Sequence, residues 1–384
     1  MADVRSREPL PPADAALFLP TLGGGGAERV TLNLARGLHA RGHRIELVVG
    51  TDEGAYRDLV PEGVPLTSLG APRLRHAPIP LARYLARRRP GAFLSAMNDA
   101  NVISLVAAGL ARYRGRLVVA EHNQLTPDGN PTPTQRLLLT AMHHTYPRAQ
   151  AIVAVSHGVK DSLATTARIP PDRITVIYNP VITPHLHQAT QAHPDHPWFQ
   201  GPDPIILGIG RLTRQKNFPN LLHAFAQVLP QHPAKLLILG EGEDRDTLQR
   251  LIHDLHLDDH AQLPGFVPNP YAYLAHAQLF ALSSDWEGLP TVLIEALAAR
   301  TPVVSTDCPS GPREILDHGR HGHLVPTNDP TALAQAILHT LHQPPPPTDP
   351  DWLHQFTLDA ATDHYAHTLG LSGEASQARA TVVA

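Results

Sequence analysis

Lysine and cysteine are nearly missing from this chain, and long apolar runs are absent altogether. Only Lys160, Lys216 and Lys235 interrupt a basic complement that is otherwise arginine. A single cysteine, Cys308, excludes an intramolecular disulfide and fits a reducing compartment. No stretch reaches the roughly 20 apolar residues a membrane-spanning helix needs. The first residues lack a basic start followed by an apolar core of about 7–15 residues, so no signal peptide is expected. Strong charge is lacking too: a net charge of −4 predicts no general attraction to nucleic acid. These absences lead to the expectation of a soluble, cytosolic protein.

What is present is size, histidine and proline. At 384 residues the chain is long for one domain and comfortable for two, each with its own core. Its 42% apolar content is ordinary for a globular protein. The 25 histidines and 39 prolines read as compositional bias. His185, His187, His193 and His196 fall in a Pro-rich stretch at a spacing that matches no standard metal site, so no metal is expected there.

Short apolar runs alternate with helical periods along both halves. In the first, strands are expected at Ala15–Leu19, 44–50, Ala92–Ala96, 116–120, 150–155 and 174–177, with helices at 98–110, 133–145 and 157–164. This alternation predicts a parallel doubly wound α/β sheet, whose ligands sit beyond the C-terminal ends of the strands. Ala15–Leu19 runs into Gly23–Gly26 and then a helix with Ala27, Val30, Leu34 and Leu38 on one face. Such a loop either presents backbone amides to a ligand or simply turns. It is no Walker motif, and Glu28 spoils a Gly-x-Gly-x-x-Gly reading. The 116–120 strand leads straight into Glu121-His122-Asn123. His122 there is either a packing residue or a ligand-facing one.

Residues 73–89 carry six arginines and no acid, and Leu81, Tyr84, Leu85 and Arg88 give a helical period. Arg73–Arg89 is therefore either a solvated face covering the sheet or a basic amphipathic surface for an anionic membrane.

In the second half, strands are expected at 204–210, Lys235–Leu239, 261–263, Leu279–Leu282 and 302–305. The first ends in Gly210-Arg211-Leu-Thr-Arg-Gln-Lys216-Asn217 before a helix at 218–229. Two cations at a strand end suit a diphosphate, Arg211 as a bidentate fork and Lys216 as a point charge; loop cations are also often merely solvated. After Leu279–Leu282 come Ser283 to Gly288 and a helix over 291–299, with Pro290 expected at its first position. Glu287 precedes that helix and Glu295 lies about 7 Å within it at a rise of ~1.5 Å per residue. Two carboxylates thus bracket a helix start, an arrangement suited to a sugar joined to a diphosphate, and equally compatible with a plain turn.

Glu287, seven intervening residues and Glu295 resemble the signature of the family-4 retaining glycosyltransferases with the GT-B fold. Gly-Gly-Ala-Glu-Arg-Val (25–30), Glu121-His122-Asn123 and Gly-Arg-Leu-x-x-x-Lys-Asn (210–217) resemble further motifs of that family. The resemblance covers roughly residues 15–370 and implies two Rossmann-like parallel-sheet domains facing across a cleft. It implies domains at 1–183 and 204–348, a linker at 184–203, a helix at 349–370 crossing back to the first domain, and a tail at 371–384.

The resemblance also assigns roles. Gly25 and Gly26 face the donor phosphates and the acceptor. His122 lies beside the transferred sugar's reacting carbon, and Arg211 and Lys216 grip the donor diphosphate with Leu289, Pro290 and Thr291 at the helix start. Glu241, Phe266 and Val267 mark turns that hold base and ribose, largely through backbone groups. Glu295 takes the ribose hydroxyls, and Glu287, followed by Gly288, takes the sugar hydroxyls. The implied reaction moves a hexosyl or N-acetylhexosaminyl group from a nucleotide sugar, UDP-linked, to a glycan or polyprenyl-linked acceptor of the cell envelope, with retention and without metal or other cofactor. A nucleotide-sugar epimerase and a non-catalytic sugar-nucleotide-binding subunit are the alternatives.

Overall fold

The computed structural model describes residues 11–125 and 131–371. Residues 1–10, and residues 372–384 of the expected tail, lie outside these ranges. Two parallel sheets organise the chain. The first contains β1 (Ala15–Leu19), β2 (Ile45–Val49), β3 (Leu66–Ser68), β4 (Ala92–Ala96), β5 (Arg116–Glu121), β6 (Ala151–Ala154) and β7 (Ile174–Val176), in the order β3-β2-β1-β4-β5-β6-β7. The second contains β8 (Ile205–Ile209), β9 (Lys235–Leu239), β10 (Ala261–Gly265), β11 (Leu279–Leu282), β12 (Val303–Thr306) and β13 (His323–Val325), in the order β10-β9-β8-β11-β12-β13. Every pairing between neighbours is parallel.

The central strands are apolar throughout because helices cover both faces. β1, Ala-Ala-Leu-Phe-Leu, is wholly buried, with Phe18 on one face packed near Phe93 of β4 and Leu17 and Leu19 in the other core. Beside the second sheet, helix 218–228 buries Leu221, Leu222, Phe225 and Val228. Each such side chain contributes about 1.5–3 kcal/mol on removal from water.

Residues 184–203, expected to be an irregular linker, hold a short helix at Pro184–Ala189 and a turn at Pro197–Gln200. Thr183 caps that helix through the Leu186 amide at 3.2 Å, and Pro184 opens it. The linker histidines part company: His185 stands edge-on to Tyr271, His193 stacks on His276, and His196 bonds Gln262. The 349–370 segment, expected as one helix, is not continuous. It breaks at Thr357, which pairs with Ile182 and caps a separate helix, Leu358–Leu369. That last helix packs on helix Gly26–Ala40 of the first domain. No helix among the described residues is long and apolar enough to cross a membrane.

Candidate active site

Strand order reverses between β8 and β11 in the second sheet, and between β1 and β4 in the first. Loops leaving such a pair of strands diverge and open a crevice at the strands' C-terminal ends. Arg211 and Lys216 leave β8, while Glu287 leaves β11, so the two loops meet at the reversal. Lys216 Nζ donates to Glu287 Oε1 at 2.5 Å, and Ser284 Oγ donates to the same oxygen at 2.6 Å. Glu287 is only 6% exposed, a burial that a carboxylate tolerates only with such partners. Gln215 Nε2 braces the loop by donating to the Trp286 carbonyl at 2.9 Å. Arg211 stands exposed on its loop and enters no ion pair among the described residues.

Helix Thr291–Ala298 begins one residue later than expected: Pro290 is its N-cap, in extended backbone, and provides no side-chain cap. Its first turn therefore offers backbone amides to an anion. Leu289 and Pro290 are buried and Thr291 is partly exposed. Cys308 lies close enough to Glu287 and Lys216 to feel both charges; burial pushes its thiol well up, which keeps it protonated and inert.

The opposite wall is the end of β5. Glu121, at 1% exposure, accepts from Asn101 Nδ2 at 2.8 Å and from the Tyr146 hydroxyl. Burial pushes its carboxyl up to about 7, and those two hydrogen bonds hold it back from rising further. Burial pushes His122 down to about 4, so its imidazole is neutral near pH 7. His122 and Glu287 come together because Gly288 lacks a side chain. A Cβ there would lie 1.9 Å from the His122 carbonyl oxygen. The Gly288 carbonyl in turn accepts from Ser156 Oγ at 2.8 Å and Ser310 Oγ at 2.7 Å, one serine from each domain.

The remaining expected residues line up less evenly. Gly25 and Gly26 follow β1 at the first reversal, and the space above Gly26 is open. Phe266 is 63% exposed beyond β10, and Val267 beside it is partly buried. The Glu241 carboxylate is taken by Arg245 at 3.1 Å, and its carbonyl accepts the Leu212 amide at 2.9 Å. Glu295 is buried on helix Thr291–Ala298 and accepts no hydrogen bond from the described residues.

Several cleft contacts have no signature in the sequence, although Arg29 lies in the Gly-Gly-Ala-Glu-Arg-Val loop and Ser310 and Glu314 lie in the 307–314 turn that follows the 302–305 strand. Arg29 crosses from the first domain and donates to the Tyr271 hydroxyl at 2.7 Å. Glu314 crosses the other way, its two oxygens accepting the His157 and Gly158 amides at 2.9 Å each. Ser156, Ser310 and Tyr271 complete this set. The cross-domain partners of Arg29, Ser156 and Glu314 lie 132 to 242 residues away, a separation with no local signature.

The family model for Glycosyltransferase Family 4 matches residues 24–184, and that for group 1 glycosyl transferases matches residues 191–351. Over 340 residues the chain is 31% identical to a 4-alpha-N-acetylgalactosaminyltransferase of Campylobacter jejuni, covering 84% of this chain and 88% of that one. The Campylobacter enzyme is named for a diphospho-undecaprenol-linked acceptor sugar. A shorter match, 49% identical over 113 residues, joins 29% of the chain to 28% of a glycosyltransferase from Methanocaldococcus jannaschii. Among solved structures, Anabaena HepE in complex with UDP and glucose superposes with a TM-score of 0.70 at 19% identity, over 96% of this chain and 99% of that one. The chain belongs to the family-4 glycosyltransferases of the GT-B fold.

Proposed function

We propose that the protein moves a hexosyl or N-acetylhexosaminyl group from a UDP-linked sugar to a glycan or lipid-linked acceptor of the cell envelope, with retention of configuration. One observation supports the reading: the loop bearing the Lys216–Glu287 ion pair packs through Gly288 against the backbone of His122, whose imidazole burial keeps neutral near pH 7. A departing diphosphate develops negative charge, which Arg211, Lys216 and the uncapped start of helix Thr291–Ala298 lie ready to stabilise. Preorganised charge of this kind is usually the largest catalytic term. Glu287, fixed by Lys216 and Ser284, has a second oxygen to offer the sugar hydroxyls. Neutral His122 can hydrogen-bond the sugar without placing a positive charge beside a carbon that becomes electron-poor. The leaving phosphate itself takes the acceptor's proton on the same face, so no second catalytic carboxylate and no divalent ion is called for. The names of the Campylobacter relative and of the UDP-bound Anabaena structure support the choice of acceptor class and nucleotide.

The proposal extends to a cytoplasmic protein resting on the anionic inner face of a membrane through Arg73–Arg89. Arg88 is committed to buried Glu46 at 3.1 Å, whereas Arg73, Arg75, Arg83, Arg87 and Arg89 are exposed. Ile79 on the same helix is 60% exposed. Binding to anionic liposomes that Arg83→Glu with Arg87→Glu abolishes supports this surface; indifference to both changes removes it.

Calorimetric titration of UDP, GDP and ADP, with EDTA present, tests the donor site against Lys216→Ala. Selective UDP binding that the variant loses supports the reading. A wild-type protein that binds none of the three overturns it.

A further inference from the structure

Glu295 is more than nine-tenths buried, yet no described residue hydrogen-bonds its carboxylate. An ionised group so placed needs a countercharge or a ligand. Its own domain provides neither. The countercharge comes from Arg29, on helix Gly26–Ala40 of the first domain, directly after the glycine loop. Arg29 is held on both sides of the cleft. Its Nη1 donates to Tyr271 Oη at 2.7 Å and its Nε to Tyr56 Oη at 3.3 Å. The guanidinium lies 5.0 Å from the Tyr56 ring centre and 5.9 Å from that of Tyr271. Tyr271 belongs to helix Pro270–His276, which packs against the helix bearing Glu295.

We propose that Arg29 is a positioning residue for the nucleotide half of the donor: it supplies, from the first domain, the countercharge that keeps Glu295 ready to accept the ribose hydroxyls, and only while the domains are clasped through Tyr271. The inference rests on the donor-site reading of Glu295. Two physical steps lead to it. Burial raises the Glu295 carboxyl and Arg29 lowers it, so loss of Arg29 moves Glu295 towards its protonated form at a higher pH. A carboxylate accepts two hydroxyls at once, whereas a protonated carboxyl spends one oxygen as a donor. Nucleotide affinity thereby comes to depend on a residue of the opposite domain.

Three more titratable groups stand nearby. Tyr56 and Tyr271 flank the guanidinium, and burial raises Tyr271 far beyond neutral pH. His185 stands edge-on to the Tyr271 ring at 6.2 Å between centres and needs a control.

The test is calorimetric titration of UDP at pH 6, 7 and 8 into the wild type, Arg29→Met, Glu295→Gln and the double variant. UDP affinity should fall about tenfold in Arg29→Met at pH 7, the scale of a lost hydrogen bond to a charged group, and fall further at pH 6. The wild type should stay nearly flat over this range. In the Glu295→Gln background, Arg29→Met should add little, and the pH dependence should vanish. The inference is overturned by an Arg29→Met protein that binds as the wild type does, or by a penalty and pH dependence that persist unchanged with Glu295→Gln, which would point to packing or to His185. A Glu295→Gln protein with undiminished UDP affinity would instead overturn the donor-site reading of that residue. Should Arg29→Met not fold, Tyr271→Phe opens the same clasp without stranding a charge and is judged by the same outcomes.

Discussion

His122 and Glu121 are chain neighbours whose protons push stability in opposite directions. His122 has a folded value depressed from 6.5 to about 4. Between those limits the unfolded chain binds the proton and the folded chain refuses it, so its contribution is present above pH 6.5 and lost as pH falls towards 4. Glu121 has a folded value raised from 4.5 to about 7. Its contribution is present below pH 4.5 and lost as pH rises through 7. Each displacement amounts to roughly 3 kcal/mol at full extent, so the pair largely cancels in the wild type over the overlapping window. Glu121→Gln should therefore lose stability steeply between pH 6.5 and 4.5, and His122→Gln should gain it there. Urea midpoints of the three proteins across that window check this; parallel profiles would contradict the burial of either group. At the same scale, His122→Ala should impair transfer far more than UDP binding, because the proposed function places the ring beside the transferred sugar. Equal losses of turnover and of calorimetric UDP affinity would contradict that placement. Glu287→Gln should cut turnover by orders of magnitude, since an amide offers Lys216 no charge and the sugar one acceptor fewer. Near-normal turnover would remove Glu287 from the site.

Among the elements, the join between the last helix and the first domain depends on one glycine. Helix Gly26–Ala40 presents Gly37 to helix Leu358–Leu369, and a Cβ there would meet Thr362 Oγ1 at 2.3 Å. Gly37→Ala gains helix propensity of about 1 kcal/mol, yet the clash should outweigh it and lower stability by roughly 1–3 kcal/mol. Thr362→Ala removes the obstructing oxygen, so the double variant should recover most of the loss in thermal melts. Additive losses would mean the helices meet elsewhere. The same elements show what the sequence made legible. Parallel strands must end in loops on one side, so Lys216, Glu287 and His122 were readable as strand-end residues before any coordinates. β3 and β13 were not, because Leu66–Ser68 and His323–Val325 are three-residue edge strands, too short to show a period. The 184–203 segment hid its helix behind prolines and histidines, although Thr183-Pro184 is a cap followed by a first-turn proline. Thr357 hid a break inside the segment expected as one helix at 349–370.

For the whole molecule, the question is what holds two domains at a working distance, since the candidate site draws its groups from both. Arg29, Ser156 and Glu314 reach partners in the other domain only through the folded chain, so no local pattern announced those contacts. Glu314 makes the most specific of these links. Helix His157–Thr166 of the first domain starts at Ser156, whose side chain caps the Val159 amide at 3.1 Å. That leaves the His157 and Gly158 amides, and the second domain's Glu314 takes both, with favourable placement against the positive end of the helix. A carboxylate matched to two amides at a helix start contributes about 1–3 kcal/mol. Glu314→Ala should therefore leave each domain folded and loosen the contact between them. Hydrogen exchange at the His157 and Gly158 amides should accelerate, while exchange in β5 and β11 stays slow. The KM for a UDP-sugar should rise as the Arg29–Tyr271 clasp on the same cleft opens more often. Glu314→Gln retains one acceptor oxygen and should fall between the two. Unchanged exchange at residues 157–158 in Glu314→Ala would mean that the serine contacts on Gly288 alone keep the cleft closed.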